Sequence, residues 1–287
     1  MFTTTLSTTS KLKAVGLAAG AVIALGLAAP AAASAATSAV HHTSTASAKP
    51  TVVLVHGAWA DASSFSLVTA ALQHDGYTVL NAPNPLRGLA SDAANVAAFV
   101  NQNTTGPVIL VGHSYGGSVI TDAAVSTPTV KALVYVDAYA PDQGESAIQL
   151  TGAKPGSLLA VPDPSTVFNF VQYPGAPTGD VDTYIKPSLF HKIFAARLSS
   201  KQANILAAGQ SPIALSALTA TSTAPAWKSI KSFFFVGTSD KVIPAAEQLA
   251  MAARAGGFVE KYPADHLSML EAPQHIADLI EKAAQTK

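Results

Sequence analysis

Cysteine is absent from the 287-residue chain. Disulfides, thiolate metal sites, a cysteine nucleophile and a lipid-modified cysteine are therefore all excluded. Charge is scarce: Asp, Glu, Lys and Arg make up 12% of residues, 17 of each sign, for a formal net charge of zero. That is about half the usual proportion of charged side chains. No run of Lys and Arg occurs, so nucleic-acid binding driven by phosphate neutralisation is not expected. Internal repeats are also lacking, which argues against solenoids and propellers. Apolar residues, by contrast, reach 49%, enough to build a sizeable core.

The first 36 residues read as an address. Lys11 and Lys13 precede an apolar stretch at 14–29, then Pro30 and a tract of Ala and Ser at 31–36. A basic start, a short apolar run and a small-residue cleavage site describe a secretory signal peptide. Its removal would leave no stable membrane anchor, and the lack of an Arg-Arg pair favours the general secretion route to an extracellular location. Residues 37–49, rich in Ser, Thr and Ala, read as a flexible leader, so the part expected to fold is 50–287.

From position 50 the pattern alternates. Apolar, strand-like runs occur at Thr51–Val55, 78–80, 108–111, 132–136, 233–236 and Phe258–Tyr262. Helical spacing marks 63–74, 92–100, 118–125, 245–253 and 275–284 between or after them. Strands separated by helices predict an α/β fold with a mostly parallel sheet covered by helices. The interval from 142 to 228 breaks this rhythm, with many prolines and no clear strand. It is too long for a loop and is expected to be a helical cap folded over the C-terminal edge of the sheet. Its apolar stretches at 158–161, 167–171 and 193–194 are expected mainly to pack the cap onto the core.

The chemistry is carried by Gly112-His113-Ser114-Tyr115-Gly116, a G-x-S-x-G between an apolar strand and a helix. In that context the serine sits on a sharp turn as a nucleophile, and its partners follow in the order acid, then histidine. Asp240 lies just after the strand at 233–236, and His266 follows the strand at 258–262. All three are thereby placed at one sheet edge, with His266 as base and Asp240 as the acid that orients it. Asp137, at the end of the strand at 132–136, is the rival acid. The oxyanion donors expected are the backbone N–H groups of Tyr115 and of Ala58. His56 is expected to brace its own loop, His113 to be structural and Asp265 to serve a turn or cap. No His and carboxylate cluster has metal-ligand spacing and no G-x-G-x-x-G follows a strand, so neither metal nor cofactor is expected.

Four stretches are similar to one branch of the α/β-hydrolase-fold serine hydrolases: Val53–Trp59, Val111–Gly117, Val134–Asp142 and Ala264–Pro273. That branch holds small plant methyl-ester esterases, hydroxynitrile lyases and bacterial pyrethroid-hydrolase-like esterases. The resemblance implies a Ser114–His266–Asp240 hydrolase acting on a small-molecule carboxylic ester. The alternatives it leaves are a cofactor-free lyase, C–C hydrolase or perhydrolase on the same residues, or a non-catalytic binding protein of this fold. Lyases of this branch carry Thr where Gly57 stands and Lys where Leu267 stands, so the sequence follows the esterase pattern at both positions.

Overall fold

The computed structural model describes residues 49–286. The expected signal peptide and residues 37–48 of the expected leader lie outside them. The chain first forms β1 (Thr51–Val55), a 3-10 turn (Ala62–Phe65), α1 (Ser66–His74), β2 (Val79–Asn81) and α2 (Leu89–Asn103). It continues through β3 (Val108–His113), α3 (Tyr115–Ala123) and β4 (Val130–Val136). Every residue of β3 is buried, as its unbroken aliphatic run requires of a central strand covered on both faces.

The segment between Pro141 and Lys228 holds α4 (Ala147–Ala153), β5 (Phe168–Val171), β6 (Asp182–Ile185), α5 (Pro187–Phe194), α6 (Ser200–Ala208), β7 (Ile213–Ala214) and α7 (Leu215–Thr219). The chain then returns to the core with β8 (Lys231–Gly237), α8 (Ala245–Arg254), β9 (Phe258–Tyr262), α9 (Ser268–Glu271) and α10 (Pro273–Ala284).

The six core strands form one sheet in the order β2-β1-β3-β4-β8-β9, every pair parallel. The order reverses between β1 and β3, so the loops leaving these two strands diverge and open a crevice at the sheet's C-terminal edge. Registration brings the strand ends level: Val55 pairs with Gly112, His113 with Val136, Val136 with Phe235, and Gly237 with Tyr262. The helices flank this sheet, α10 against β3, β4 and β8, and α3 against β1, β3 and β4.

The inserted segment differs from an all-helical cap. It contains a three-stranded antiparallel sheet, β5-β6-β7, beside its four helices. These strands are only two to four residues long, and β5 falls within the apolar stretch at 167–171 expected to pack the cap, so none shows a strand-length alternating or apolar run of its own. The boundary between β6 and α5 falls at Lys186-Pro187, where the proline holds its predecessor out of the helical region and opens the helix at its own position.

Candidate active site

Ser114 stands between β3 and α3 with φ of 53°, a left-handed conformation uncommon for a residue with a side chain. Space around the turn explains its glycines. A Cβ on Gly112 would lie 2.5 Å from the Gly116 carbonyl oxygen, and one on Gly116 would collide with the Val55 carbonyl oxygen. The turn is held by the Gly117 N–H donating to Ser114 O (2.9 Å) and by the Tyr139 N–H donating to the same oxygen (3.2 Å).

His266 and Asp240 arrive from the loops after β9 and β8. His266 Nε2 lies 2.9 Å from Ser114 Oγ, and His266 Nδ1 lies 2.9 Å from Asp240 Oδ2. An ionised carboxylate only accepts, so Nδ1 carries the proton and Nε2 presents a lone pair to the serine hydroxyl. Asp240 is fixed by the N–H groups of Val242 (2.7 Å) and Ile243 (3.0 Å) and by the Gln248 side-chain amide (2.8 Å). Burial pushes its carboxyl well above the ordinary range, and these donors oppose that shift. Burial pushes the His266 imidazole below its ordinary value, with the charge of Asp265 opposing. A buried neutral imidazole between a carboxylate and a hydroxyl can take up the hydroxyl's proton.

Asp137, the rival acid, is committed elsewhere. Its Oδ1 accepts the Gly237 N–H (2.6 Å) and its Oδ2 accepts the Ser268 hydroxyl, so it ties the ends of β4 and β8 to α9. Asp265 Oδ1 accepts the Leu267 N–H (3.1 Å), a turn bond, and its Oδ2 accepts the Arg197 N–H from the cap (2.7 Å). His113 Nε2 donates to the His266 carbonyl oxygen (2.8 Å), so this residue braces the histidine loop. Burial holds His113 well below its ordinary pKa, and the neighbouring His266 adds to the effect.

The loop after β1 carries Ala58. His56 Nδ1 donates to Gly57 O (2.9 Å), and the Asn84 amide donates to His56 O (2.8 Å). Trp59, with φ of 56°, donates its backbone N–H to Ser211 O and its indole N–H to Thr183 O, both at 2.9 Å and both in the cap. No local pattern announces the bonds of Trp59, Gln248 or Arg197: the partners of Trp59 lie 152 and 124 positions away, that of the Arg197 N–H lies 68 away, and the eight positions from Asp240 to Gln248 follow no motif. A Cβ on Gly57 would stand 2.6 Å from Ser114 Cβ, so a threonine there would displace the serine. Tyr115 opens α3, whose first N–H groups have no acceptor within the helix. Its hydroxyl is anchored on Asp92 (2.9 Å).

Ala58, Ser114 and Tyr115 all line one cavity of about 460 Å³ between core and cap. Its remaining wall is mainly apolar, including Trp59, Leu159, Val161, Phe168 and Leu218, and no charged residue among those described lines it. The apolar stretches of the cap thus divide: Phe190 and Phe194 pack inward, with Phe194 4.9 Å from the His266 ring, whereas Leu159, Val161 and Phe168 face the cavity.

A model of the alpha/beta hydrolase family matches residues 52–279. A carbendazim hydrolyzing esterase of Nocardioides sp. (strain SG-4G) is 36% identical over 110 residues, which is 34% of this chain and 46% of that protein. The chain is thus matched to about half the length of that relative. Polyneuridine aldehyde esterase superposes with a TM-score of 0.69 at 17% identity, covering 83% of this chain and all of its own. A pyrethroid hydrolase from Sphingobium faniae JZ-2 gives 0.64 at 19% identity, over 82% and 97%. At these identities the two structures report a shared fold.

Proposed function

The chain belongs to the alpha/beta hydrolase family, and from that premise we propose that it is a serine esterase cleaving carboxylic esters of small to medium apolar substrates. The observation that carries this reading is the row of hydrogen bonds from Asp240 through His266 to Ser114, opening on an apolar cavity. In this reading His266 takes the proton of Ser114 as Oγ attacks the ester carbonyl, and Asp240 stabilises the imidazolium. The N–H groups of Ala58 and Tyr115 hold the oxyanion. The C–O bond breaks, and the alcohol leaves with the proton from His266. Water, deprotonated by His266, then cleaves the acyl-enzyme and Ser114 recovers its proton.

The names of an esterase relative and of esterase and hydrolase neighbours support hydrolysis. Leu267 beside His266 is apolar and buried, and supplies no positive charge for a leaving anion such as cyanide, which weighs against the lyase alternative. The test is hydrolysis of p-nitrophenyl acetate, butyrate and octanoate beside the Ser114→Ala variant. Activity that disappears in the variant supports a serine esterase; equal activity in both contradicts it. Export is proposed from residues 11–36 alone. N-terminal sequencing of protein recovered from the medium should find the chain starting within or just after 31–36, and a full-length cellular product would contradict it.

A further inference from the structure

Five residues that line the cavity carry a side-chain hydroxyl: Ser114, Tyr115, Tyr139, Thr151 and Thr183. Each has one proton to give, so where the five protons go decides what the wall offers a ligand. Ser114 faces His266 Nε2, and Tyr115 donates to Asp92 Oδ2. Thr183 donates to the Ile213 carbonyl oxygen (3.0 Å) and Thr151 to the Ala147 carbonyl oxygen (2.8 Å). Tyr139 Oη is 2.6 Å from Thr151 Oγ1. Since the Thr151 proton is committed to Ala147, both contacts are satisfied only when Tyr139 donates to Thr151. Every hydroxyl proton of these residues is then used inside the protein, so their oxygens have only lone pairs to offer a ligand. Burial raises the pKa of Tyr139, which keeps its hydroxyl protonated and this chain of donors intact at working pH.

We propose that the cavity selects uncharged substrates bearing a hydrogen-bond donor, an N–H or O–H, which the Tyr139 hydroxyl oxygen accepts. The inference rests on the esterase reading for what occupies the cavity. Away from the backbone N–H groups beside Ser114, a carboxylate or other acceptor-only group finds no side-chain donor among the described lining residues. A substrate N–H or O–H finds an unshared lone pair on Tyr139 in a mainly apolar wall, where a missing partner is costly.

Binding tests this without turnover. Calorimetric Kd values on Ser114→Ala protein are measured for methyl phenylacetates carrying hydroxyl, methyl or methoxy groups at the 3- or 4-position. At least one hydroxyl isomer should bind about 5–10-fold more tightly than its methyl counterpart. The preference should vanish in Ser114→Ala/Tyr139→Phe. In Ser114→Ala/Thr151→Val the Tyr139 proton loses its internal acceptor and turns to the cavity, so preference should shift toward the methoxy ligand. Equal affinity for hydroxyl and methyl ligands, or a preference that survives Tyr139→Phe, overturns the proposal. Preferential binding of the hydroxyl ligands, together with wild-type ester hydrolysis no greater than that of Ser114→Ala, would support the donor site and overturn the esterase reading alone.

Discussion

Asp137 and Asp240 are both buried carboxyls at the ends of adjacent strands, yet only Asp240 reaches the imidazole. Asp240→Asn should lower kcat by about 10⁴, because an amide no longer fixes the tautomer that leaves Nε2 unprotonated. Asp137→Asn should change kcat by less than about tenfold and lower Tm, since its partners are Gly237 and Ser268. Steady-state kinetics of the two variants checks the assignment, and a larger kcat loss in Asp137→Asn reverses it. The pH dependence also belongs to single residues. His266 acts as a base only when neutral, and burial lowers its pKa, so protonation is disfavoured. The acid limb of kcat/KM should therefore have its midpoint below 6.5, with full activity at neutral pH. A midpoint above 7 would contradict the burial of this group.

At the scale of elements, the core was readable because its residues obey local rules. The four central strands each carry an unbroken apolar run, at 52–55, 108–111, 132–136 and 233–236, and the helices between them repeat apolar positions every three or four residues. Ser114, Asp240 and His266 could be placed because each lies in the short loop that follows a strand, and parallel strands in register bring their ends together. The cap sheet was not readable. β5, β6 and β7 are short, and their pairing depends on partners up to 32 positions apart rather than on a local pattern. The same applies to Trp59, whose two bonds to the cap appear only once the chain is folded. Close packing of elements gives a further prediction. Gly116 lets α3 approach the end of β1, so Gly116→Ala should destabilise the protein by about 1–3 kcal/mol through overpacking, read as a lower Tm. An unchanged Tm would show that α3 can move away without cost.

The whole molecule combines a charge-poor sequence with a cavity free of charged lining residues among those described. Its volume of about 460 Å³ suits a small to medium ligand, and the apolar wall has no partner for an ion. Esters ending in a carboxylate or an ammonium group should therefore show kcat/KM at least about 100-fold below uncharged esters of equal length. Comparable rates would mean that the ester enters by another route. The central claim is that Ser114, activated by His266 and Asp240, carries the acyl group between two half-reactions. Rapid-quench mass spectrometry during turnover of p-nitrophenyl butyrate tests it most directly. The account predicts one butyryl adduct per chain, located on Ser114 and absent from Ser114→Ala. An adduct on another residue, or undiminished hydrolysis by Ser114→Ala, would contradict it.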